Sequence, residues 1–427
     1  MGSLDDLTVL DLTRVLGGPY CTMLLADMGA DVVKVEPPGG DWIRRTPPFF
    51  DDEEEPYGGY FQSVNRGKSS VELDLTDEDD RADFLTLVDR ADVLVENYRA
   101  GTMERFDLAY ERLRERNPGL VYASIRGFGD PRTGATPEQD RPAYDLVVQA
   151  MAGVMQINGQ PDDPPTKIGV GIGDLFTGVL SAVGILAAVH HRERTGEGQF
   201  VDTSMYDAML SMCERAVYQY SYTGEVPGRV GNAHPILFPY DAFEARDGLV
   251  VVAAIGPTQW DALCRAIDRP DLIEYREQSV RLANRDALKA EITAWTSERT
   301  VEEVLDVLDT VVPCAPVHDV GDVFESGIAD RRGMLVDLPH PGTDEEVTVA
   351  GSPIKMTETP TGPAGRAPLL DEHRAALFGS EAAERGTRAQ TDGSGESAAD
   401  RADGGCCDDG DDDAAGSGTA TDPEERP

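Results

Sequence analysis

Three features of the sequence predict an α/β protein: a Rossmann-like parallel-sheet large domain joined to a smaller α/β domain. Short apolar strands alternate with helices through residues 7–129. A long helix with apolar periodicity follows three alternating glycines at 169, 171 and 173. A stretch rich in turn formers, "EVPGRVGNAHPILFPYDAF" near 225–240, then separates this part from a shorter strand-and-helix region.

The elements follow in order. "LTVLDL" (7–12) reads as a strand, and "GGPYCTMLLADMGA" (17–30) as a helix that Gly29 closes. "DVVKVEPP" (31–38) is a second strand, stopped by prolines that cannot donate to a ladder. After an acidic, aromatic loop (49–61), "SVELDL" (70–75) is a strand and "DEDDRADFLTLVDRA" (77–91) a helix. "DVLVEN" (92–97) is a strand, followed by a helical segment and then "LVYASIRGFG" (120–129). This βαβα rhythm predicts a parallel sheet, whose ligand sites gather at the carboxyl ends of strands. The loops after Leu12, Glu36, Leu75, Asn97 and Ile125 are therefore the places to look.

Residues 142–223 read as largely helical, apart from the Gly/Pro loop before Asp174 and the short strand "QFVDTS" (199–204). The expected division is a large domain over 1–224, a small domain over 225–320, and a C-terminal return to the large domain over 321–380. "VTVAGSPIKM" (347–356) lies in that return. Residues 381–427 form an acidic low-complexity tail whose composition cannot support a packed core, so it is expected to be disordered.

The 427 residues carry a formal net charge of −41, with 47 Asp, 32 Glu and 33 Arg but only five Lys. Acid spread over the whole chain with lysine nearly absent is similar to proteins of salt-loving archaea; an acidic protein of an ordinary high-GC organism is the other reading. Such a field opposes nucleic acid and anionic membrane, and a polyanionic ligand would need a local basic pocket. The six cysteines, at 21, 213, 264, 314, 406 and 407, show no CxxC or Cys/His spacing, so neither a disulfide framework nor a metal site is expected. The opening "MGSLDDLTVLDLTRVL" is acidic and lacks the apolar core of a signal peptide. The apolar run around 178–189 reads as too short to span a bilayer. A cytoplasmic protein without nucleic-acid or membrane partners is expected.

The segment "GVGIGDLFTGVLSAVGILAAVHHRERTGEGQFVD" (169–202) raises the functional question. Asp174 reads as the N-cap of a helix whose apolar face runs through Leu175, Phe176, Val179, Leu180, Val183, Ile185, Leu186 and Val189. A capping role alone would account for it. Gly169, Gly171 and Gly173, however, leave bare backbone beside the carboxylate, where another molecule can come close. The outline of a dinucleotide GxGxxG loop fails, because the third glycine is one residue early and a Pro-rich loop, not a strand, precedes it.

Five segments in order resemble the family III CoA-transferases, which include formyl-CoA transferase, carnitine CoA-transferase and the α-methylacyl-CoA racemases. They are "DLTRVLGGPYCTMLLADMGADVVKVEPPGGD" (11–41), "NRGKSSVELDL" (65–75), "ADVLVENYRAGTMERF" (91–106), "RPAYDLVVQAMAGVM" (141–155) and residues 169–210. The resemblance covers about residues 5–375. It implies an interlocked homodimer, acyl-CoA and carboxylate substrates, and no prosthetic group, coenzyme A entering as a thioester substrate. It places Asp174 at the family's catalytic aspartate, which attacks the thioester carbonyl to give a mixed anhydride and then an enzyme–CoA thioester. A carboxylate with a pKa near 4 would be ionised for this at neutral pH without a base.

Tyr144 and Asp145 distinguish the branches of the family. The racemases carry a histidine at the position of Tyr144 to move the α-proton, and none of the six histidines lies there. Tyr144 is expected to donate a hydrogen bond to substrate, and Asp145 to assist the acyl pocket or cap the helix that follows. The resemblance assigns CoA contacts to Val15, Gly17, Asn97, Tyr98 and Arg105, and the charges of Arg66 and Lys68 make them candidate phosphate partners. Pro37 and Pro142 stand where some members have Arg and Lys, and Leu16 where an oxalate-specific member has Gln. Composition and resemblance together suggest succinyl-CoA as donor and a dicarboxylate acceptor, mesaconate first and citramalate, itaconate or malate next. Arg14, Arg229 and His234 are candidates for holding the second carboxylate.

Overall fold

The computed structural model describes residues 2–50 and 57–379. The tail (381–427) expected to be disordered and Cys406 and Cys407 lie outside the described residues. Six strands form one parallel sheet: β1 (Thr8–Asp11), β2 (Asp31–Glu36), β3 (Ser69–Glu72), β4 (Val93–Glu96), β5 (Val121–Arg126) and β6 (Phe200–Ser204). Their order is β3-β2-β1-β4-β5-β6, a doubly wound arrangement; the sequence predicts the Rossmann-like parallel sheet, and the structure supplies the order. The strand order reverses between β1 and β4, which opens a crevice at their carboxyl ends.

Both faces of the sheet are covered, which is why its strands read as almost continuous apolar runs. On one face, Val9, Val32 and Val93 pack with Leu25 of α1 (Gly17–Asp27) and with Ile185 and Val189 of a long helix at Ile172–Thr195. The neighbouring residues Leu10, Val33 and Leu94 point the other way, onto Phe84 and Leu87 of a helix at Glu78–Val88. The long helix crosses α1 closely because Gly178 has no side chain; a Cβ there would stand 2.5 Å from the Gly17 carbonyl oxygen. Its 24 residues, with a mean hydropathy of 1.9 over their most apolar 18, are long and apolar enough to cross a membrane, contrary to the reading from 178–189. It instead lies with one face in the core.

A separate core forms around Trp260 and the antiparallel strands β7 (Tyr240–Glu244), β8 (Leu249–Ala253) and β9 (Cys314–Pro316). Arg281 is fully buried there, its guanidinium donating to the carbonyls of Phe238 and Ile255. The chain then forms a hairpin, β10 (Leu335–Pro339) with β11 (Glu346–Ala350), and runs back along the large sheet. His373 N–H donates to the Ser70 carbonyl while its Nδ1 accepts from Ser70 N–H, and Asp371 Oδ1 accepts from Glu72 N–H at 2.9 Å. The backbone of edge strand β3 is thus covered by a segment some 300 residues later in the chain.

Candidate active site

The loop after β1 and the loop after β4 meet across the crevice. Asn97 Oδ1 accepts from Arg14 N–H and its Nδ2 donates to the Arg14 carbonyl, both at 2.8 Å. Around this junction lies a cleft of about 290 Å³ lined by Val15, Gly17, Asn97, Tyr98, Tyr144 and Asp174, among others. Arg14, Arg99, Arg126 and Arg141 line it too, a concentration of cations in a strongly acidic protein. Arg14 also borders a narrower recess walled by Pro37, Pro38, Leu73, Tyr98 and Phe106. Its guanidinium carbon sits 5.0 Å from the Tyr98 ring centre, and its Nε has no hydrogen-bond partner among the described residues. Val15, Gly17, Asn97, Tyr98, Tyr144 and Asp174 are brought together here as the sequence suggests.

Asp174 is not the N-cap. Its helix starts at Ile172 with Gly171 in the cap position, so Asp174 is the third helical residue. Capping of this end comes from outside the helix. Asp145 Oδ1, on the helix Asp145–Met151, accepts the Gly173 N–H at 2.8 Å. Gly173 is required for that approach, since a Cβ would lie 2.9 Å from Val148 and 3.0 Å from Asp145 Oδ1. With the orphan N–H taken elsewhere, no donor among the described residues reaches the Asp174 carboxylate.

Burial first, and then the Asp145 charge, push the Asp174 carboxyl up to about 7. The expectation of an ordinary carboxylate near 4 is therefore corrected. The group stands against Gly17, whose added Cβ would meet Asp174 Oδ1 at 3.3 Å, so the start of α1 lies against the carboxylate.

Other assignments change as well. Asp145 does not line the cleft: both its oxygens accept from Gln149 Nε2, at 3.0 and 2.8 Å, and it acts on Asp174 through Gly173 and through its charge. Arg66 and Lys68 are not available to phosphates. Arg66 is 2% exposed, paired with Asp27 at 2.8 Å and donating to the Ala350 carbonyl. Lys68 is 4% exposed and donates to Asp11, Pro19 O and Asn65 Oδ1. Burial pulls Lys68 down to about 8 despite the Asp11 charge, while burial of Asp11 is outweighed by Lys68 and Lys34, which hold it at about 2. Arg105 lies exposed outside the cleft, donating to Thr102 Oγ1. Arg229 donates to backbone carbonyls at Gln160, Gln156 and Pro161, and His234 packs on Tyr240; neither lines the cleft.

Sequence reasoning missed Tyr60 and Arg126. Tyr60, on the helix Gly59–Asn65, has its hydroxyl raised to about 12, by burial first and then by the charges of Asp174 and Asp41, which places it near the Asp174 carboxylate. Nothing in its sequence neighbourhood signals that. Arg126 ends β5 inside the cleft, pairing with Asp130 at 2.7 Å and Glu96 at 3.5 Å. The sequence marks the loop after Ile125 as a place to look, but nothing there singles out Arg126 itself.

The sequence matches the model of CoA-transferase family III over residues 4–374. It is 64% identical over 380 residues to a succinyl-CoA:mesaconate CoA-transferase of Haloarcula hispanica, covering 88% of this chain and 96% of that one. A protein of the same name from Haloarcula marismortui is 63% identical over 389 residues, covering 91% and 98%. Among solved structures, a CAIB/BAIF family protein from Brucella suis superposes with a TM-score of 0.79 at 36% identity, covering 88% of this chain and 98% of that one. A Rossmann-like sheet with a bare aspartate at its topological switch point, matched along nearly its whole folded length, puts this chain in CoA-transferase family III.

Proposed function

We propose that this protein transfers CoA from succinyl-CoA to mesaconate. The observation that carries the reading is Asp174: a carboxylate without a hydrogen-bond donor among the described residues, half-buried in an arginine-lined cleft against the backbone of Gly17. The names of the two Haloarcula relatives support the substrate pair.

In the first step an Asp174 oxygen attacks the thioester carbonyl of the donor. The C–O bond forms, the C–S bond breaks, and CoA leaves as a thiolate, leaving a mixed anhydride on the enzyme. The thiolate then attacks the aspartyl carbonyl, expelling the donor's acid and forming an enzyme–CoA thioester. The acceptor carboxylate reverses the two steps. N–H groups at the start of α1, unpaired within the helix, can meet the oxyanion that forms in each attack. Tyr144, 68% exposed in the same cleft, supplies a hydroxyl donor and no base for α-proton removal. That favours transfer over racemisation. Arg14 is read as the partner of the second carboxylate, and the arginines around it as the cations that offset the acidic field for CoA.

The enzyme is read as a cytoplasmic homodimer with a large domain over 1–224 and a small one over 225–320. Supporting a dimer, Leu210, Met212, Val217, Tyr218, Tyr220 and Tyr222 stand exposed on consecutive helices just before the 225–240 segment. The test is a panel of CoA donors against carboxylate acceptors in molar KCl, read by chromatography of the CoA esters, with mass spectrometry for a CoA adduct on Asp174. Turnover of succinyl-CoA with mesaconate is expected. Turnover of monocarboxylates alone would refute the dicarboxylate assignment.

A further inference from the structure

Val15 is a β-branched residue with φ of +68°, in the left-handed region that such side chains rarely adopt. It lies between β1 and Gly17, so its backbone sets where the start of α1 meets Asp174. The stretch around it is held by side chains from elsewhere. Asp11 Oδ1 accepts from Thr13 N–H at 2.9 Å, Lys34 Nζ donates to the Thr13 carbonyl at 2.7 Å, and Asn97 takes both polar groups of the Arg14 backbone. Val15 N–H itself donates to Asp41 Oδ2 at 3.1 Å.

Asp41 and Lys34 are 2% and 0% exposed, and their charged ends lie 3.7 Å apart. Asp41 is itself fixed: its N–H donates to Glu36 Oε2 at 3.0 Å, and its Oδ1 accepts from Ile43 N–H at 3.3 Å. Glu36 is clamped in turn by Arg44 at 2.6 Å. A buried, charged and doubly fixed acceptor on one backbone N–H is more than a surface loop needs. It over-determines a conformation that the chain would otherwise leave.

We propose that Asp41, backed by Lys34, is a positioning residue for transfer: it holds Val15 in the left-handed conformation and so fixes the Gly17 backbone against the Asp174 carboxylate. The proposal rests on the reading of Asp174 as the nucleophile. A polar contact displaced by about 1 Å in such a site can cost up to about a hundredfold in rate.

The test is a double-mutant cycle with succinyl-CoA and mesaconate in molar KCl. Asp41→Ala should lower kcat by about tenfold or more while KM for the donor moves less than about threefold. Adding Val15→Gly to Asp41→Ala should recover most of that loss, because glycine takes a positive φ without strain. A merely structural role would show as a lower Tm that glycine does not mend. If Asp41→Ala does not fold, Asp41→Leu, which keeps the side-chain volume but offers Val15 N–H no acceptor, is carried through the same comparison. Wild-type kcat in the single variant, or no recovery on adding Val15→Gly, overturns the proposal. Asp174→Ala in the same assay separates the two readings: activity there removes the nucleophile assignment, whereas an inactive Asp174→Ala beside an unimpaired Asp41→Ala removes only the role of Asp41.

Discussion

Asp145 reaches Asp174 without touching it: its Oδ1 takes the N–H of Gly173 at 2.8 Å, and its charge adds to the burial that lifts the Asp174 carboxyl to about 7. One carboxylate thus caps the helix that the other would cap, and the second is left free but harder to ionise.

The rate of the first half-reaction should follow the ionised fraction of Asp174. In molar KCl, kcat/KM for the acyl-CoA should rise about tenfold per pH unit well below 7 and level off above it. Asp145→Asn should move the inflection down, since a like charge is removed. The inflection should stay above that of an ordinary carboxylate, because burial is the larger cause. A pH–rate profile flat from 5 to 8 would contradict both statements.

Asp174→Asn should cost activity and add stability above neutrality. The folded carboxyl binds its proton more tightly than the unfolded one, whose pKa is 3.8, so the native state loses stability as pH rises from there through about 7. Removing the charge should therefore raise Tm at pH 8, by the equivalent of about 1–2 kcal/mol, and change little at pH 4. Thermal melts of wild type and variant at the two pH values decide it. Asp174→Ala is the cleaner variant for the accompanying loss of transfer, since an asparagine can slowly hydrolyse back.

Lys68→Met should act on folding and leave CoA binding alone. It strands the buried Asp11 carboxylate without its ion pair, a loss of about 3–5 kcal/mol in comparable buried pairs. Denaturant midpoints should fall while KM for the acyl-CoA in the folded protein stays within about twofold. An unchanged midpoint with a large rise in KM would return Lys68 to the phosphates.

Arg14→Gln should discriminate between donors. If its guanidinium meets the second carboxylate, activity with succinyl-CoA falls by about 10–100-fold, the worth of a charged hydrogen bond. Butyryl-CoA, of similar length but without that carboxylate, should change by less than about threefold. Equal losses with both donors would move Arg14 to the CoA moiety.

The sheet was legible because its signals are local. Strand "DVVKVE" and helix "EDDRADFLTLV" carry their own periodicity, punctuation and caps, and each forms where the pattern ends. Asp174 was legible as a residue of the cleft but not as a helix position, because the group that caps its helix, Asp145, lies 28 residues before the Gly173 N–H that it takes. Arg66 and Lys68 were misread for the same reason. A cation in a loop looks exposed until its partners, Asp27 and Asp11, are seen 39 and 57 residues away. Tyr60 carries no motif, and Asp41 only closes the segment 11–41 with no signal of its own; folding brings them to Asp174 and to the loop beside it.

The covering of β3 by His373 and Asp371 also sets the order in which the molecule can be completed. The first sheet to leave the ribosome keeps an open edge, and Arg66 lacks its Ala350 acceptor, until almost the last described residues have been made. The residues of the core around Trp260 are synthesised in between, so the chain must hold an unfinished sheet through the making of some 300 residues. A fragment stopped before residue 370 would expose the very edge along which sheets aggregate.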